Sequence, residues 1–104
     1  MKNIGLFFGS FNPIHLGHLA IADFFVENSG LEEIWLVISP QSPFKEKNSL
    51  MENKHRLAMV EMAIVGKPKL KACSEEFDLS TPNYTVKTLG NLKKKYPKNQ
   101  FTLL

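Results

Sequence analysis

The apolar positions of the chain fall into four short runs separated by longer stretches of helical spacing. Ile4 to Phe8 is apolar except for Gly5, the pattern of a central strand covered on both faces. Glu33 to Ile38 reads as a second strand, Leu70 to Cys73 as a short third and Gln100 to Leu104 as a fourth. Between the first two strands, Leu16 to Asn28 carries Leu19, Ala22 and Val26 on one stripe. Ile21, Phe24 and Phe25 make it apolar nearly all round, which predicts deep burial or a covering partner. Ser49 to Val65 is a second helix, opened by the capping box Ser49-Leu-Met-Glu52 and carrying Leu57, Val60 and Ile64 on its apolar face. A third helix is predicted from Tyr84 to Tyr96, with Val86, Leu89, Leu92 and Tyr96 on one face. Ser29-Gly30 and Gly66 to Pro68 close the first two helices, and Thr81-Pro82-Asn83 precedes the third. Ser74 to Asn83 is predicted to be irregular, with Phe77 and Leu79 tucked inward.

Strands alternating with helices predict an α/β fold. Connections of this length join parallel strands by right-handed crossovers. By analogy with Rossmann-like sheets the order is 3-2-1-4, with helices on both faces. The fourth strand is then an edge without charge or proline to guard it, which favours self-association into a homo-oligomer.

With 104 residues, one small domain is expected, and 43% hydrophobic with 22% charged residues is ordinary for a soluble globular domain. A formal net charge of +3 is too mild to argue for nucleic acid and suits an anionic small substrate. The single cysteine, Cys73, excludes a disulfide within the chain, and a reducing cytoplasm is the default expectation. The sequence begins a strand at once, and neither a signal peptide nor a membrane span is read in it.

The candidate chemistry lies between the first strand and first helix, in Gly9-Ser-Phe-Asn-Pro-Ile-His-Leu-Gly-His18. A strand-to-helix turn in an α/β unit is where such folds bind phosphate. Gly9 and Gly17 allow close backbone approach, and Ser10 and Phe11 offer backbone N–H groups. Asn12-Pro13 is a turn signal. His15 and His18 are three apart, so both imidazoles can face one anion beside the positive end of a helix dipole. A zinc site would need more ligands, and the other candidates, His55 and Cys73, lack the spacing. No metal ligand is assigned.

This stretch resembles the signature of the nucleotidyltransferase superfamily marked by a His-x-Gly-His motif. Within it, the chain is most similar to bacterial nicotinate mononucleotide adenylyltransferases. The rest of the chain supports the resemblance. Ser39 to Lys45 looks like the family's loop after the second strand, with Pro43 and Lys45 matching and Phe44 replacing a histidine. Thr81 to Leu89 resembles the family's Ser-Tyr-Thr-x-x-Thr-Leu segment, with Asn83 in place of Ser. Arg56 and Leu57 also match, and are assigned to structure, with Arg56 orienting a loop.

The resemblance implies adenylyl transfer from ATP to nicotinate mononucleotide, giving nicotinate adenine dinucleotide and pyrophosphate, in NAD biosynthesis. It implies that His18 meets the α-phosphate, that His15 holds the triphosphate, and that Gly9, Ser10, Phe11, Gly17 and Lys45 complete the phosphate site. Tyr84 and Thr85 would hold the nicotinate carboxylate, and Mg²⁺ would arrive with ATP on its phosphate oxygens. Phosphates nearby would favour protonated imidazoles. The nearest rival, phosphopantetheine adenylyltransferase, typically has Thr at the position of His15, and cytidylyltransferases usually lack Pro13. A further rival is a nucleotide-binding module without turnover. The family continues past the fourth strand with segments not found in this sequence. The chain therefore resembles the N-terminal part of such an enzyme, and is expected to bind ATP weakly and turn over negligibly alone.

Overall fold

The computed structural model describes residues 2–11, 14–39, 53–78 and 85–104. Strand β1 spans Asn3–Gly9, helix α1 Leu16–Asn28, β2 Glu33–Ile38, α2 Asn53–Ala63 and β3 Leu70–Cys73. A 3-10 turn, Glu75–Asp78, precedes α3, Thr85–Lys95, and β4, Gln100–Leu103. All three strand pairings are parallel and the order is β3-β2-β1-β4, as predicted.

Alternation along the strands splits the core in two. Ile34, Leu36, Ile38 and Leu70 face α1 and α2, where Ala22 and Val60 are buried against them. Ile4, Leu6, Val37 and Cys73 face the other way, toward Leu92 of α3. The central strands β1 and β2 are covered on both sides, which is why they read as nearly continuous apolar runs. On the α3 side, Trp35 meets Tyr96 and Phe101 edge-on at centroid distances of 5.2 and 5.5 Å.

The differences from expectation have local causes. β1 gains Asn3 and Gly9 because Gln100 and Ile38 pair with them across the sheet, a long-range effect that sequence patterning does not show. α1 is not deeply buried: only Ala22 is fully so, while Leu16, Ile21 and Phe24 are exposed. Its second apolar side therefore faces outward. α2 closes two residues early, in a turn over Ile64 to Gly66, where Gly66 takes φ +82°. The segment after β3 is more ordered than expected. Its 3-10 turn carries Glu76, 4% exposed, whose carboxylate accepts a 2.6 Å hydrogen bond from the buried Thr88 hydroxyl of α3. The predicted cap at Ser49, the side chain of Phe77, and Leu79 lie outside the described residues. Among the described residues, no helix is long and apolar enough to cross a membrane.

Candidate phosphate-binding turn

β1 delivers the chain to Gly9 at the carboxyl end of the sheet, and the Ser39 N–H binds the Gly9 carbonyl at 2.9 Å. That bond ties the ends of the two central strands together beside the turn. Ser10 is exposed, and the next residue turns inward. Phe11 is 1% exposed and adopts φ +47°, a left-handed backbone uncommon outside glycine. Its ring lies against Gly9, where an added Cβ would stand 3.1 Å from the ring. Phe7 meets the Phe11 ring edge-on at 5.5 Å, and Phe11 meets His18 edge-on at 5.0 Å. The three rings form one packed cluster, in which Phe7 and Phe11 both meet the His18 imidazole.

His15 does not sit within the helix. It is the N-cap of α1, with extended backbone, and its Nδ1 accepts from the Gly17 N–H at 3.0 Å. His18, at the third helical position, reaches back so that its Nδ1 accepts from the His15 N–H at 3.1 Å. This is a capping box in which imidazoles replace the usual hydroxyl and carboxylate. The two rings consequently stack, with centroids 3.9 Å apart. Gly17 is required beneath them, because a Cβ there would lie 2.8 Å from His15 Cε1.

The bonding fixes the proton positions. A ring nitrogen that accepts a hydrogen bond carries no proton, so a neutral imidazole here holds its proton on Nε2. Both rings therefore keep an Nε2–H donor free of the capping bonds. Protonating His18 at Nδ1 would cost the bond that it accepts from the His15 N–H. Burial, and then the neighbouring His15, hold His18 below the usual histidine value. Without an anion beside it, the His18 imidazole thus favours its neutral form.

The structure brings Gly9, Ser10, Phe11, His15, Gly17 and His18 together at one turn. Lys45, Phe44 and Tyr84 lie outside the described residues, and α3 begins at Thr85. Among the described residues, no group of three or more His, Cys, Asp or Glu is placed to hold a metal ion. Two features went unread in the sequence: the burial of the Phe11 ring and the depth of Arg56. Arg56 is fully buried on α2, and its Nη1 donates to the Ser10 carbonyl at 2.6 Å. The available signal was its spacing, since Arg56 precedes Val60 by one helical repeat and so shares the core-facing stripe. A cavity of about 390 Å³ on the Trp35 side of the sheet shares no residue with the turn.

A parallel sheet in this order, with paired imidazoles capping the first helix, defines a nucleotidyltransferase type of fold. Residues 6–101 match the cytidylyltransferase-like family model, and the chain belongs to that family. It is 55% identical over 103 residues to a protein of Christiangramia forsetii named "Probable nicotinate-nucleotide adenylyltransferase", covering 99% of this chain and 53% of that one. A solved Plasmodium falciparum nicotinic acid mononucleotide adenylyltransferase, complexed with NaAD, superposes with a TM-score of 0.75 at 27% identity, covering 99% of this chain and 51% of that one. A Vibrio parahaemolyticus chain at 23% identity has a TM-score of 0.78 over 99% of this chain and 56% of its own, a likeness of fold. The chain spans about half the length of the relatives it matches.

Proposed function

We propose that this chain supplies the phosphate-binding half of an adenylyltransferase that joins ATP to nicotinate mononucleotide. The observation that carries the reading is the stacked His15–His18 pair, held by a reciprocal cap at the end of β1. The names of its relatives support the choice of substrates.

In this reading the mononucleotide phosphate, already an anion, attacks the α-phosphorus of ATP in line and pyrophosphate leaves. No side chain needs activation. The chain's task is to position the reactants and spread the developing charge. His18 donates from Nε2 to the α-phosphate, and His15 donates to the triphosphate. The N–H groups of Ser10 and Phe11 hold the acceptor phosphate, with Lys45 as a point charge beside it. Gly9 and Gly17 leave room for the Phe11 ring and the His15 imidazole that shape this site. Thr85 opens α3, whose first N–H groups suit the nicotinate carboxylate, and Tyr84 is assigned to the same ligand. Imidazoles and N–H donors match phosphate oxygens rather than a hard cation. Mg²⁺, bound to the triphosphate, would neutralise part of its charge.

The test joins residues 1–104 to the remaining half of the Christiangramia forsetii relative and measures dinucleotide formation from ATP. Nicotinate mononucleotide should be preferred over its amide by roughly 10²-fold or more in kcat/KM, since a carboxylate accepts from N–H donors that an amide group meets poorly. His18→Ala should lower kcat by ~10²–10³ with the fold retained. Equal rates for acid and amide would sink the substrate assignment, and an unchanged kcat the role of His18.

A further inference from the structure

The buried Arg56 guanidinium has unusual company. Its two terminal nitrogens donate to the Ser10 carbonyl and the Asn53 side chain, and among the described residues its Nε, also buried, has no hydrogen-bond partner. Among the described residues its partners are a carbonyl and an amide oxygen, so the positive charge is held there against neutral oxygens. Burial pulls its pKa below the usual arginine value. A buried charge without an opposite charge beside it is costly. Packing alone is a poor reason for its presence.

The bond to Ser10 has a geometric consequence. A trans peptide is planar, and its C=O and N–H point in opposite directions. Drawing the Ser10 carbonyl toward α2 therefore turns the Phe11 N–H away from α2. The same peptide leads into the left-handed backbone of Phe11, a conformation that needs holding. Arg56 thus grips the peptide plane through its carbonyl while the Phe7 and His18 rings pack on the Phe11 ring.

We propose that Arg56 is a positioning residue for anion binding: it sets the Ser10–Phe11 peptide so that the Phe11 N–H faces a phosphate, whose charge then offsets its own. The proposal rests on the reading of the Gly9–His18 turn as a phosphate site. It assigns the buried cation to the anion rather than to the core.

The experiment uses ¹⁵N-labelled chain 1–104 titrated with inorganic pyrophosphate, following the backbone amides of Phe11, Gly17 and His18. In the wild type all three should shift on binding. Arg56→Met keeps much of the stem and removes the charge and donors. It should weaken pyrophosphate by about tenfold or more, the scale of one hydrogen bond to a charged group, and abolish the Phe11 response while the Gly17 response remains. Arg56→Lys, which keeps the charge but not the fork, should restore part of the affinity and less of the Phe11 shift. If Arg56→Met fails to fold, Arg56→Lys is judged alone against the wild type. A folded variant with wild-type affinity and an unchanged Phe11 response would overturn the proposal and leave the phosphate reading standing. A wild-type chain whose Phe11 amide ignores pyrophosphate, while Gly17 and His18 respond, would also overturn the proposal alone. No response at any of the three would overturn both.

Discussion

Gly17→Ala separates the stability of α1 from the geometry of its histidine pair. The added Cβ would stand 2.8 Å from His15 Cε1 and 3.0 Å from His15 Nδ1, where ordinary carbon contacts begin several tenths of an ångström further out. Something must move, and the candidates are few. The Gly17 backbone is held by its own N–H bond to His15 Nδ1, so the imidazole is what yields. Swinging it outward breaks that bond and the 3.9 Å stack on His18. Losing a cap costs about 1 kcal/mol. Replacing glycine by alanine within a helix returns up to about 1 kcal/mol. The two nearly cancel, so the variant should unfold in urea within roughly 1 kcal/mol of the wild type.

Binding should behave differently, because nothing offsets the displaced donor. A hydrogen bond to a charged group contributes about 1.5–3 kcal/mol, so losing the His15 Nε2–H from a phosphate should weaken pyrophosphate by roughly 10- to 100-fold. Imidazole ¹⁵N shifts supply the structural readout: His15 should lose the signature of a fixed Nε2–H tautomer. Unchanged ¹⁵N shifts with unchanged pyrophosphate affinity would refute the steric argument. Altered shifts with unchanged affinity would refute the role given to His15.

His18 should titrate below the ordinary histidine value of 6.5 in the ligand-free chain, since burial and then His15 disfavour its charged form. The unfolded chain then binds more protons just below pH 6.5, so stability should be complete above that pH and fall as the pH drops toward the lowered value. An NMR titration of the imidazole with parallel urea melts checks both, and a midpoint at or above 6.5 would contradict the capping geometry. Thr88→Val removes a donor from the buried Glu76 carboxylate and should cost about 2 kcal/mol in urea unfolding, the scale for leaving a buried charged acceptor short of a partner. A change within 0.5 kcal/mol, the scatter of ordinary surface substitutions, would mean that other groups already satisfy that carboxylate.

The two central strands were legible because both of their faces are covered, so the continuous apolar runs Ile4–Phe8 and Glu33–Ile38 mark them without needing their partners. Strand ends were less so, since Asn3 and Gly9 join β1 only through pairing with distant residues. Helix α1 shows the limit of periodicity from the other direction. Its apolar residues go nearly all the way round, and pattern alone could not say that Phe24, 59% exposed, points outward. The pattern reports how much apolar surface a helix carries, while its neighbours decide how much of it is covered.

At the turn, the spacing of His15, Gly17 and His18 was enough to suggest that two imidazoles share one face. It was not enough to show what holds them there. The cap is built from ring nitrogens, and ordinary capping signals look for hydroxyls, amides and carboxylates. Phe11 was read through its N–H, although its ring meets His18 edge-on and its backbone is the strained element. Arg56 is the hardest case. It lies 46 positions from Ser10 in sequence and meets that residue at its carbonyl, a group every residue carries. Residues that present donors to a ligand leave a type-specific mark in the sequence. Residues that hold a peptide plane leave one only through burial, and a buried charge without a carboxylate is the structural sign that such a residue is present.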